Sequence, residues 1–179
     1  MITLRPFGPG DFAFIFSCIE SEADMVQWSG LGFQWPLTER QLADYHAATQ
    51  QQNPAARAWS VFDAKSGAMA GHVALANMNY RHGVATISRV LIAPSHRGQG
   101  LCRPLIREVV RLGFEDLGLR RINLAVYDFN APAIRCYEAC GFVHEGRWRE
   151  FAQVGDQTWN LLWMALLRRD WEQGRQEGL

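Results

Sequence analysis

The chain has 179 residues, 48% of them hydrophobic and 20% charged, with 18 Lys plus Arg against 18 Asp plus Glu. That length and balance suit one globular domain with a sizeable core, and the absence of a basic excess gives no support to a nucleic-acid partner. No apolar run approaches the roughly 20 residues a membrane-spanning helix needs, and Met1-Ile2-Thr3-Leu4-Arg5-Pro6 lacks the apolar core of a signal peptide. A cytoplasmic protein without a membrane partner, its cysteines reduced, is expected.

Residues 2–5 read as a short opening strand. Asp11 precedes the apolar stretch 12–19, which reads as a helix. Residues 21–37, with Gly30, Gly32 and Pro36 beside Trp28, Phe33 and Trp35, read as irregular. Thr38-Glu39-Arg40-Gln41 matches a capping box and opens a helix to about Gln52. Three strands follow, at about 58–63, 68–78 and 84–93, separated by Lys65-Ser66-Gly67 and Arg81-His82-Gly83. Residues 98–114 read as a helix, with Leu101, Leu105, Val109 and Leu112 on one stripe. A strand at 121–127, a short helix at 131–140 with Pro132 in its first turn, and two strands at 142–152 and 157–167 complete the order. Cys136 and Cys140 share a helix face, but no nearby His or further Cys completes a metal set, so both are expected to be packed thiols, with no metal implied.

The loop Arg97-Gly98-Gln99-Gly100 lies between an apolar strand and an amphipathic helix. Glycines let backbone approach an anion closely, and the first N–H groups of a helix point outward without acceptors. Pro104 fits such a helix only within its first four residues, so it places the helix start just after the glycines. The loop has neither the Gly-Lys-Ser/Thr ending of a P-loop nor the Gly-x-Gly-x-x-Gly spacing of a dinucleotide fold.

Val90-Leu91-Ile92-Ala93-Pro94-Ser95-His96-Arg97-Gly98-Gln99-Gly100-Leu101-Cys102 resembles the acetyl-coenzyme A signature of the GNAT N-acetyltransferases, including the branch acting on ribosomal proteins and small amines. Cys102 stands where the pattern has a final Gly or Ala. The segment from Asn130 to Phe142 looks like the second half of the same site. The resemblance is strong over roughly residues 84–167 and covers the first 60 residues only in element order.

The resemblance implies a single domain over 1–179, with a cofactor core at about 84–167 and an acceptor-side segment at about 20–57. It implies an α/β fold, a strongly bent, mostly antiparallel sheet of six or seven strands with helices on both faces. The strands holding Val90 and Val126 would run parallel and splay apart around acetyl-coenzyme A. Backbone groups of Val90, Leu91 and Ile92 would hold the pantetheine arm. Arg97, Gly98, Gln99, Gly100, Leu101, Cys102 and Arg103 would cradle the pyrophosphate. Asn130 would bond the cofactor arm, and Tyr137 would protonate the departing thiolate. The implied reaction is acetyl transfer to a primary amine of a small molecule, protein or peptide, by direct attack in a ternary complex. A homodimer is common among such proteins. A non-catalytic acyl-coenzyme A sensor of the same fold is the alternative.

The chemistry needs a neutral amine, a polarised carbonyl and a proton for the thiolate. Many members carry a Glu early in the strand before the glycine loop, where this chain reads Ala85-Thr86-Ile87-Ser88-Arg89. Simple alternation puts Thr86, Ser88, Val90 and Ile92 on one face and Ile87, Arg89 and Leu91 on the other. Ser88 is the candidate to order a water. His72, His82 and His144 titrate in the right range for a base, each with an ordinary core or surface role as its competing reading. The acceptor is expected near Glu22, Trp28 and Trp35, with Trp148, Trp159 and Trp163 on the closing hairpin, because aromatic faces and carboxylates suit a cationic amine.

Overall fold

The computed structural model describes residues 1–176. Its frame is a seven-stranded sheet of β1 (Ile2–Pro6), β2 (Arg57–Asp63), β3 (Met69–Asn79), β4 (Val84–Ile92), β5 (Arg121–Tyr127), β6 (Val143–Val154) and β7 (Gln157–Leu167), in the order β1-β2-β3-β4-β5-β7-β6. Every neighbouring pair is antiparallel except β4 with β5. The helices are α1 (Phe12–Cys18), α2 (Glu22–Ser29), α3 (Glu39–Thr49), α4 (Cys102–Arg111), α5 (Ala131–Glu138) and α6 (Arg168–Gln176).

Two apolar clusters occupy the two faces of the sheet. One joins α4 and α5 to Val73, Leu75, Ala85, Ile87, Ile122 and Leu124. The other joins α1, α2 and α3 to Ala74, Leu91, Tyr127 and Leu161. Within α4, Leu105, Ile106 and Val109 are fully buried, each burial stabilising by roughly 1.5–3 kcal/mol.

Four sequence expectations are corrected. Residues 22–29 are helical, capped by Ser21, whose Oγ accepts from the Asp24 backbone N–H at 3.1 Å. Ser21 with Glu22 and Asp24 in the first turn is an N-terminal signal, masked by the glycines that follow. The helix expected over 98–114 begins at Cys102 and passes into a π-helical turn at Leu112–Asp116, leaving the glycine turn outside it. A closing helix, α6, follows β7 directly, where no element was expected.

The fourth correction bears on the site. Opposite β3, the register of β4 jumps from Ala74↔Ser88 to His72↔Leu91, so β4 carries an extra residue there, and Arg89 within it adopts φ 51. One extra residue reverses the alternation beyond it. Ala85 and Ile87 face α4, but so do Val90 and Ile92, while Leu91 joins the opposite cluster.

Candidate active site

The parallel pairing of β4 with β5 stops at Ile87↔Leu124, while β5 stays paired to β7 as far as Tyr127. Past Leu124 the facing edges of β4 and β5 have no ladder between them. The gap is a cavity of about 130 Å³ lined by residues of both strands, of the end of α2, and by Asn130 and Tyr137.

Four buried side-chain polar atoms among the described residues have no hydrogen-bond partner: Ser88 Oγ, Arg89 Nε, Tyr127 Oη and Trp163 Nε1. Ser88, Arg89 and Tyr127 line the gap, and Trp163 sits on β7 opposite gap-lining Ala125. Each buried unpartnered group costs about 1–3 kcal/mol, and three of the four belong to residues lining this one cavity, where a polar ligand or water would satisfy them. A groove of about 770 Å³ lies between α4, α5 and α6, lined by Arg107, Cys140 and Trp171 among others. It is larger, yet none of these orphaned atoms faces it, so the smaller gap is the candidate site.

The bulge in β4 is held from behind. The Arg89 carbonyl accepts from the Trp28 indole N–H at 2.9 Å and from His72 Nδ1 at 3.0 Å. Because a carbonyl only accepts, His72 carries its proton on Nδ1, and Nε2 is left to accept from the Tyr45 hydroxyl at 3.4 Å. His72 is 0% exposed, and burial drives its pKa down to about 4, so the ring is a neutral brace. His82 lies in the turn before β4, at the opposite end from the gap, and His144 pairs on the surface with Glu138 at 2.9 Å. None of the three histidines lines the cavity.

The remaining expected residues divide as follows. Asn130 caps α5 through Oδ1, which accepts from the Ala133 backbone N–H at 3.3 Å. Tyr137, seven residues on, is 6% exposed, and burial raises its phenol well above the ordinary value. Both residues line the gap, as do Ser88 and Val90. Beyond the gap, Gly98 and Gly100 have φ +75 and +74, and a Cβ at either would meet nothing within 4 Å, so conformation rather than space demands glycine there. Among the described residues no acceptor meets the backbone N–H groups of Gly98, Gln99, Gly100 and Leu101. The side chains brace the turn: Arg97 Nε donates to the Ile92 carbonyl at 3.2 Å and Gln99 Nε2 to the Ser95 carbonyl at 2.9 Å. Cys102, first residue of α4, touches Cys136 of α5, Sγ to Sγ 2.6 Å, so a small side chain is needed there, and Arg103 is exposed.

Of the acceptor candidates, Trp28 lines the gap but is 5% exposed and stacked on Phe33. Glu22 and Trp35 are exposed and do not line it. Tyr127 and Arg89 were not expected from sequence. Tyr127 is 3% exposed, walled by Phe129 and Trp159, and burial pushes its phenol up to about 12. Its place at the C-terminal end of β5, where the parallel pair parts, was the available signal.

The candidate site thus combines a splayed parallel strand pair, a turn of free amides at a helix start and a buried phenol on the next helix, and the protein is of the acetyltransferase class. A model of the Acetyltransferase (GNAT) family matches residues 23–142, and the chain belongs to that family. The spermidine N(1)-acetyltransferase of Vibrio cholerae is 33% identical over 145 residues, covering 81% of this chain and 80% of that protein. The spermidine N(1)-acetyltransferase of Escherichia coli K12 is 25% identical over 170 residues, covering 95% and 88%. The crystal structure of the Vibrio cholerae spermidine N-acetyltransferase in complex with CoA and spermine matches with a TM-score of 0.83 at 28% identity, covering 96% of this chain and 98% of that one.

Proposed function

We propose that the chain transfers an acetyl group from acetyl-coenzyme A to a primary amine by direct attack in a ternary complex formed at the β4–β5 gap. The observation that carries this is the convergence of orphaned polar groups on the gap, with the free amides of Gly98–Leu101 beyond it. The unpaired edge of Val90–Ile92 offers backbone bonds to the pantetheine arm, with Asn130 opposite. The amides from Gly98 to Arg103, the helix start and the charges of Arg97 and Arg103 suit the pyrophosphate.

Tyr137 is the general acid. Burial keeps its phenol protonated through the neutral range, so the proton is present when the C–S bond breaks. The same apolar surroundings destabilise a bare thiolate, raising the leaving group's own proton affinity in step. Ser88 orders the water that receives the amine proton. In a thiol-release assay across an amine panel that includes spermidine, Tyr137→Phe should lower kcat by roughly 10²-fold with little change in the KM for acetyl-coenzyme A. Unchanged turnover would remove the assignment, and no release with any amine would remove the reaction.

A further inference from the structure

We propose that Arg89 selects the acceptor, and that the acceptor is a primary amine whose own molecule carries a carboxylate. This deepens the N-acetyltransferase reading and rests on it.

Arg89 lines the gap, and its guanidinium has no acidic partner. Among the described residues it makes no ion pair. Its central carbon lies 5.0 Å from the Phe33 ring centroid and 4.5 Å from that of Tyr45, and its Nε has no hydrogen-bond partner. Ring faces hold a cation in place, and the Tyr45 hydroxyl also engages the guanidinium, while the Nε donor is left without a partner. Gly32 permits the clamp: a Cβ there would lie 2.8 Å from Arg89 Nη2. The backbone beneath is equally fixed, since the bulge carbonyl is held by both Trp28 and His72.

The rest of the lining points to the same ligand. No Asp or Glu lines the cavity, whereas the Ser88 and Tyr127 hydroxyls are free to donate. A polyamine would bring several positive charges to a guanidinium and find no carboxylate. A carboxylate would meet the unpartnered Nε donor of a permanent cation, with the Ser88 and Tyr127 hydroxyls lining the same gap. The positive charge also serves the chemistry. It disfavours the ammonium form of an amine seated nearby and so favours the free nucleophile, in a strand that carries no carboxylate base.

The test compares matched amines that differ by one carboxylate, tyrosine with tyramine and arginine with agmatine, with spermidine as a third arm, using the full chain and acetyl-coenzyme A. The carboxylated member of at least one pair should have a kcat/KM at least about tenfold higher. Arg89→Met should bring that ratio to within about threefold, mainly through KM, and Arg89→Lys should keep part of it. A coenzyme A-induced thermal shift in each variant checks the fold, and Arg89→Lys decides the matter if Arg89→Met does not fold. Faster turnover of spermidine and of both decarboxylated amines, or a ratio unmoved by substitution, overturns the proposal. If no amine releases thiol, the N-acetyltransferase reading fails separately. Arg89 is then decided by binding. With coenzyme A saturating, straight-chain carboxylates from acetate to hexanoate should raise Tm in the native chain and not in Arg89→Met, and no such rise for any of them overturns it.

Discussion

Tyr127 and His72 are both buried and polar, yet their hydroxyl and ring have opposite fates. The His72 ring satisfies both nitrogens, one on the Arg89 carbonyl and one on Tyr45. The Tyr127 hydroxyl satisfies nothing, and an unpaired buried hydroxyl is kept at a stability cost of about 1–3 kcal/mol. Tyr127→Phe should therefore raise the urea-unfolding stability of the free protein by about 1 kcal/mol while lowering kcat/KM by tenfold or more. A variant that loses stability would show that the hydroxyl has a partner in the free protein. The sign for His72 runs with pH. Its folded pKa, about 4, lies below an unfolded value near 6.5, so the unfolded chain takes up the proton first as pH falls. The stability is fully present above about pH 6.5 and is lost toward pH 4, with a drop of about 2 kcal/mol between pH 7 and 5. Urea titrations at the two pH values measure it, and His72→Gln should flatten the difference.

At the scale of elements, the glycine turn, α4 and α5 form one device. The φ of +74 at Gly100 disfavours any L side chain, by about 1–2 kcal/mol. Gly100→Ala should therefore lower stability by about that amount and raise the KM for acetyl-coenzyme A several-fold, because its methyl would also stand where the anion approaches. A KM unchanged within a factor of two would place the pyrophosphate elsewhere. Most of these elements were legible. Strands β5 and β7 fall where the apolar runs predicted, and Pro104 placed the start of α4 because its missing N–H is tolerated only in the first turn. The bulge at Arg89 was not legible. Residues 85–88 alternate cleanly and the polar Arg89 breaks the pattern, but nothing local forces the left-handed conformation. It is fixed by Trp28 and His72, which lie 61 and 17 residues away in sequence.

For the whole molecule, the gap is a consequence of topology. Two parallel neighbours within an antiparallel sheet hold their ladder only from Val84 to Ile87 and then diverge, because β5 follows β7 while β4 follows β3. A ligand that binds this folded arrangement and not the open chain adds about 2.7 kcal/mol at a hundred times its Kd. That corresponds to roughly 5–10 °C in Tm for a chain of this size. Coenzyme A should produce such a shift, Gly100→Ala should reduce it, and a flat Tm at millimolar coenzyme A would argue against the site. The sequence by itself determined the order of the seven strands and of α1, α3, α4 and α5, the glycine turn before α4 and the seven-residue spacing of Asn130 and Tyr137, because each is written in spacing over a dozen residues or fewer. Only the tertiary structure decided that Ser88, Arg89 and Tyr127 share one cavity, that His72 braces rather than reacts, and that Glu22 stays outside. Those outcomes depend on which distant side chains compete for the same buried backbone and the same space, and no local pattern encodes that competition.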